Sequence, residues 1–297
     1  MRSATVDFRR GWLAPVSVYV VSCLAFGGCR QVASPSADSD AAVFVGAGDI
    51  GWCGSDGPEG TARLLDRIPG TVFTTGDNAY PTGSLADFET CYAPSWGRHL
   101  ARTRPSPGNH DYDTPDASGY FTYFGSLAGP VGRGYYSFDL GGWHIVSLNS
   151  NVSMQAGSPQ EQWLQADLSH AAPCVLAFWH HPLFSSGLHG NDDRSRDIWQ
   201  TLHERGADVV LNGHDHTYER FAPQTAFGAG DARGIREFVI GTGGAIPYSV
   251  TTRRPNSEFV DTGSFGVLKL TLTRSAYQWE FLTVDGRVAD QGSSGCL

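Results

Sequence analysis

Val43-Phe44-Val45-Gly46-Ala47-Gly48-Asp49-Ile50-Gly51 is the stretch that decides the fold. A short apolar run ends in Gly-Asp, and residues 71–75 repeat the pattern ahead of Gly76-Asp77-Asn78-Ala79-Tyr80. Each run reads as a buried strand that delivers a carboxylate to the loop at its C-terminal end. Residues 58–68 between them have helical character, which makes a strand–helix–strand unit. Residues 174–179 predict another buried strand, ending at His180, and residues 208–212 one that leads to Gly213-His214-Asp215-His216. Gly108-Asn109-His110-Asp111 follows a Pro-rich turn and reads as a loop. Four strands and one loop thus place polar groups at strand ends, where open α/β sheets build their sites.

The remaining elements are consistent with one α/β domain. Residues 135–148 predict a hairpin turning at Gly141-Gly142. Ser158-Pro159-Gln160-Glu161 predicts a helix start in which Ser caps and Glu reaches back as a capping box, the helix running to about Leu168. Residues 196–204 predict a helix stopped by Gly206. Late strands are expected at 237–241, 266–273 and 277–284, the last two alternating as half-buried antiparallel strands do.

At 297 residues and 40% hydrophobic content the chain can bury a large core. Arg2, Arg9 and Arg10 precede an uncharged apolar run, residues 12–26, too short to span a bilayer comfortably. Residues 1–29 therefore read as an export signal, with acylation at Cys29 or Cys23 or ordinary cleavage all open. Residues 30–42, rich in Ser, Ala, Asp and Pro, read as a flexible tether, and 43–297 as one catalytic domain. The four later cysteines are an even set in an exported chain, so disulfides are expected. Three pairings exist. Cys53 and Cys91 each follow a proposed ligand loop, which favours Cys53–Cys91 with Cys174–Cys296.

The formal net charge is −9, and removing residues 1–30, with four Arg and one Asp, takes it near −12. With one lysine, Lys269, and no basic run, binding to a nucleic acid backbone is not expected. A membrane would be met only through the lipid anchor.

Two carboxylates, a phenol, an amide and three imidazoles suffice to hold two metal ions, and mixed oxygen and nitrogen donors suit iron, zinc or manganese. Two cations about 3.5–4 Å apart can activate water against a phosphate ester. Asp77, central in the donor-dense segment, is the candidate bridge. Tyr80 three residues on can turn a phenolate onto the same ion, for which Fe(III) is suited. If His214-Asp215-His216 is extended, its imidazoles point the same way and face neighbouring metals.

In order, the five segments GDxG, GDxxY, GNH(D/E), VxxH and GHxH resemble those of the purple acid phosphatases within the metallophosphoesterase superfamily, most closely the small tartrate-resistant type. Ala177 stands where the Val of VxxH is usual, and Gly241–Ala245 resembles a late loop of the family. The resemblance implies an α/β fold, a four-layer αββα sandwich of two mixed sheets flanked by helices. It implies that Asp49, Asp77, Tyr80 and His216 bind Fe(III), and that Asp77, Asn109, His180 and His214 bind Zn, Fe(II) or Mn. It further implies a small phosphate-ester substrate attacked directly by metal-bound hydroxide. His110 and His189, with Asn109, would bind phosphate, and the two histidines would protonate the leaving alkoxide.

Other residues are expected to play lesser parts. His181 should face away from the site as a structural residue. His99, His144, His170 and His203 have no motif context. Asp111 reads either as an orienter of His110 or as a turn residue, and Asp215 is equally open. Tyr112, Tyr120, Phe121, Tyr123 and Phe124 read as core rather than pocket mouth. Asn151-Val152-Ser153 is a glycosylation sequon only in a eukaryotic host.

Overall fold

The computed structural model describes residues 41–130, 132–169 and 174–297, together with Met1. The export signal with Cys23 and Cys29, the tether up to Asp40, and His170 lie outside the described residues.

The strands are, in chain order, β1 (Ala42–Ala47), β2 (Thr71–Thr75), β3 (Thr103–Ser106), β4 (Tyr136–Leu140), β5 (Trp143–Ser147), β6 (Cys174–Phe178) and β7 (Val209–Asn212). They continue with β8 (Tyr218–Phe221), β9 (Arg236–Ile240), β10 (Ser257–Asp261), β11 (Gly266–Thr273), β12 (Ala276–Thr283) and β13 (Val288–Gly295). One sheet has the order β13-β12-β11-β1-β2-β3 and the other β10-β8-β9-β7-β6-β5-β4. Both are mixed. β1, β2 and β3 run parallel in the first sheet, as do β5, β6, β7 and β9 in the second.

Side-chain alternation produces the layers. On β6, Cys174, Leu176 and Phe178 join the core between the sheets, while Val175 and Ala177 join a second core on the outer face. Leu164 and Leu168 of the Pro159–Leu168 helix close that outer core, with Ile198, Trp199 and Leu202 of the Arg196–Glu204 helix. On the other side the Gly57–Leu65 helix lies against β11. Aromatic pairs bridge the sheets: Phe44 to Phe178 at 5.8 Å, Phe238 to Trp279 at 5.8 Å, and Tyr218 stacked on Phe281 at 4.0 Å. Burying each such ring contributes about 1.5–3 kcal/mol, so the two sheets are held face to face. This is the expected four-layer sandwich.

The strands read from the sequence form within one residue of their expected ends, and the hairpin turns at Gly141-Gly142. β1 begins at Ala42, one residue earlier than expected. Asn109 follows a strand after all, because β3 sits at a sheet edge and tolerates Pro105 there. The capping box at Ser158 is half formed. Ser158 Oγ accepts the Glu161 amide at 3.2 Å, but Glu161 accepts from the Gly157 amide instead of from Ser158, whose own N–H is taken by Gln155. Cys53 bonds to Cys91 and Cys174 to Cys296, the favoured pairing. Tyr120 and Phe124 are buried in the core, as expected. No helix among the described residues is long and apolar enough to cross a membrane.

His144 ties the β4–β5 hairpin to the Pro159–Leu168 helix: Nε2 meets Asp167 at 2.8 Å and Nδ1 meets Asp139 at 2.9 Å. Both ring nitrogens face carboxylates, so only the doubly protonated ring satisfies both. The hydrogen bond to Asp167 and, less so, to Asp139 raise its pKa above the ordinary 6.5 against the effect of burial. The stabilisation is therefore complete below pH 6.5 and is lost as pH rises through the raised value. His144→Gln is expected to cost about 1 kcal/mol at pH 5.5, a fall of about 2–4 °C in Tm, and less at pH 8.5. Thermal melts at the two pH values check this.

Candidate metal centre

The parallel strands of both sheets end at the same edge of the sandwich, and their loops interlock. Gly48 N–H donates to Ile240 O at 2.8 Å, Asp49 N–H to Gly76 O at 3.0 Å, and Gly213 N–H to His180 O at 3.0 Å. Asp49, Asp77 and His214 adopt left-handed backbone, with φ of 58°, 49° and 71°. Such conformations cost about 1–3 kcal/mol each and survive only where the surroundings impose them. Here they aim three side chains inward from the strand ends.

Two overlapping donor clusters result. Tyr80 OH lies 3.1 Å from Asp49 Oδ1, 3.1 Å from Asp77 Oδ2 and 3.2 Å from His216 Nε2. His180 Nε2 lies 3.3 Å from the same Asp77 Oδ2, 3.0 Å from Asn109 Oδ1 and 3.2 Å from His214 Nδ1. All seven residues singled out from the sequence are thus brought together, and one oxygen of Asp77 belongs to both groups.

The chemistry of this set fits bound cations. Asp49 and Asp77 are 0% and 2% exposed, and among the described residues their only basic partners are histidines. A phenol carries one proton and cannot satisfy two carboxylate oxygens and a ring nitrogen at once. Groups able to hold an ion include Asp49, Asp77 and His180. Hydrogen bonds outside the clusters leave the right atoms free: His180 Nδ1 meets Thr75 O and His216 Nδ1 meets Ile246 O, both at 2.8 Å. Each Nδ1–H donates to a carbonyl, so Nε2 is the nitrogen left for a metal, which would displace any proton there.

The electrostatics are those of a coupled set. Burial opposes ionisation of Asp77, yet the charges of His180 and His110 hold its carboxyl well below the usual range. Burial alone would lower His180, but Asp77 and Asp49 raise it to about 9. Burial and the two carboxylates push the Tyr80 phenol far up, so its ionisation requires a strong Lewis acid.

His214 and His216 reach different clusters for a reason other than the one expected. The segment is not extended, since His214 is left-handed, and Asp215 between them turns to the opposite side. Asp215 accepts the amides of His189 and Gly190 and the Ser185 hydroxyl. Glu219 accepts from the Ser186 amide and hydroxyl. Buried acids therefore fasten the loop carrying His189, whose ring stands 4.2 Å from that of His214. His110 is 35% exposed, with Nδ1 on Pro81 O at 2.7 Å and Nε2 4.0 Å from Asp77. Asp111 does not hold the His110 ring. It accepts from the Gly108 amide and from Asn78, fixing the turn, and burial with the nearby Asp77 charge raises its pKa to about 7.

Three residues went unread or misread. His181 does not face away: its buried ring lies 4.4 Å from His214 and 4.9 Å from His180, and Nδ1 meets Ser150 Oγ at 2.7 Å. Tyr248 stacks on His216 at 4.1 Å, and Trp52 packs on Tyr80 at 5.0 Å. Only the position of Trp52, one residue past GDxG, carried a signal.

Residues 42–218 match the Calcineurin-like phosphoesterase family, and the chain belongs to it. It is similar to purple acid phosphatase 21 of Arabidopsis thaliana, 32% identical over 80% of this chain and 59% of that one. Purple acid phosphatase 18 of the same plant is 29% identical over 90% of this chain and 65% of the relative. The chain thus spans less than two thirds of the length of these relatives. The fold is also that of a purple acid phosphatase from yellow lupin (Lupinus luteus) seeds, with a TM-score of 0.73 and 21% identity over 85% of this chain and 53% of the other.

The glycines of the motifs make room for this packing. A Cβ on Gly108 would lie 2.1 Å from Asp77 Oδ1, and one on Gly213 would lie 2.6 Å from Asp49 Oδ2. Gly108→Ala is expected to displace the shared carboxylate and to leave about a tenth of the metal that the wild type retains after dialysis. Elemental analysis measures the loss, with unchanged far-UV circular dichroism showing that the fold persists.

Proposed function

We propose that the protein is an exported acid phosphatase that hydrolyses small phosphate monoesters at a binuclear metal centre. The observation that carries the reading is the single Asp77 oxygen shared by two donor clusters, the arrangement a bridging carboxylate needs. Asp49, Asp77, Tyr80 and His216 would hold Fe(III); Asp77, Asn109, His180 and His214 would hold Zn, Fe(II) or Mn. When bound, the pair would supply Lewis acidity toward the phosphate and a nucleophile drawn from water.

The chain's own residues do the rest. Asn109 and His110 bind phosphate oxygens at the open side of the centre. His110 and His189 give a proton to the departing alkoxide, and a hydrogen bond from the His189 backbone amide to Asp215 holds that loop in place. Two disulfides support an oxidising compartment. The acidic balance and single lysine favour a small ester over nucleic acid.

Purified protein supplied with iron and zinc is expected to cleave p-nitrophenyl phosphate at least about a hundredfold faster than bis(p-nitrophenyl) phosphate. The reverse order would make it a diesterase. Asp77→Ala should lose turnover and metal together, and a variant that keeps both would overturn the assignment. Tyr80→Phe should lose any visible charge-transfer band. His189→Ala should slow alkyl phosphates by roughly 10²-fold or more and aryl phosphates far less, because phenolates leave without a proton.

A further inference from the structure

Beside the centre lies a cleft of about 420 Å³ that the proposed chemistry leaves unused. Its walls are the Trp52 indole, the Tyr80 ring, Pro81, Thr90 and the Cys53–Cys91 disulfide. We infer that this cleft is the subsite for the organic group of the ester, and that it selects substrates with an aromatic substituent. The inference rests on the phosphatase reading and adds the substrate class to it.

Continuity with the centre is the first support. Tyr80 turns its hydroxyl to Asp49, Asp77 and His216, while its ring forms a wall of the cleft. Pro81 lines the cleft too, and its carbonyl holds His110 Nδ1 at 2.7 Å. His110 itself packs 4.5 Å from the Tyr80 ring. On this proposal the organic group of a phosphate seated near His110 would pass Pro81 toward Trp52.

Chemistry and rigidity support it further. Trp52 is 37% exposed, although burying an indole is normally favourable, so a large aromatic face stays available. The disulfide joins the strand-end loop of Trp52 to the segment of Thr90, fixing the width of the cleft before a ligand arrives. Asp87, at the rim, is already occupied by the amides and hydroxyls of Thr82 and Ser84. With no cation among the described residues that line it, the cleft suits a neutral, flat group rather than a second phosphate.

Three variants and two pairs of probes test the idea. For wild type, kcat/KM for 2-naphthyl phosphate relative to methyl phosphate is compared with that for Trp52→Ala, Trp52→Phe and Tyr248→Ala. Trp52→Ala is expected to lower the ratio about tenfold, mainly through KM, and Trp52→Phe to restore most of it. An unchanged ratio in Trp52→Ala overturns the subsite. A fall in Tyr248→Ala alone, next to His189, would put the substituent on the other side and equally overturn it. Binding of phenylphosphonate against methylphosphonate, measured by calorimetry on the metal-loaded protein, reads the same preference without turnover. If wild type cleaves neither ester yet binds phenylphosphonate about tenfold more tightly through Trp52, the phosphatase reading fails and the subsite stands. Equal affinity for the two phosphonates sinks the subsite by itself.

Discussion

Two carboxylates buried side by side govern this molecule. Asp49 and Asp77 both point at the Tyr80 hydroxyl, and among the described residues neither has a lysine or arginine partner. Taking an ionised carboxylate out of water costs several kcal/mol unless opposite charge replaces the solvent. Histidines provide part of that charge, and each must stay neutral at one nitrogen to act as a ligand. Bound cations would resolve the conflict: Asp49 and Asp77 would no longer repel each other, and His180 and His216 would offer the nitrogens that their backbone contacts leave over.

Such a site cannot assemble from local preference. Left-handed backbone at Asp49, Asp77 and His214 works against the chain at each position. The offset comes from the sandwich, in which Phe44, Phe73 and Phe178 pack across the sheets directly behind the site. Two further ties hold the second sheet to the C-terminal strands. Asp290 on β13 accepts from Tyr218 and Arg220 of β8, and the Cys174–Cys296 bond joins β6 to the chain end. The hairpins far from the chemistry thus keep the strand ends in register.

What could be read from the sequence follows the same division. Fully buried parallel strands such as β1, β2, β6 and β7 announce themselves by continuous apolar runs that stop at Gly-Asp or at a histidine. β3 was hidden because Thr103-Arg104-Pro105-Ser106 carries a charge and a proline that only an edge position accepts. β13, a run of Ala, Asp, Gln, Gly and Ser, has no strand composition, and its pairing with β12 supplies the reason it forms. The seven donors were legible because their motifs are contiguous. His181 and Tyr248 were not, since a ring's orientation beside a ligand depends on how separate loops cross, which spacing does not encode.

Charge completes the physical picture. The chain carries 30 acidic residues against 21 basic ones, so its surface field is repulsive to phosphate at a distance. That field is screened within roughly 8 Å at physiological salt, and a small ester loses little by crossing it. Near the site a positive charge is supplied by Arg194, which adds to burial and to the His180 charge in lowering the pKa values of His181 and His214. A polyanion would meet the repulsive surface along its whole length and gain only one such contact. If the site takes a phosphate ester, the acidic exterior would therefore disfavour a chain of phosphates more than a single one.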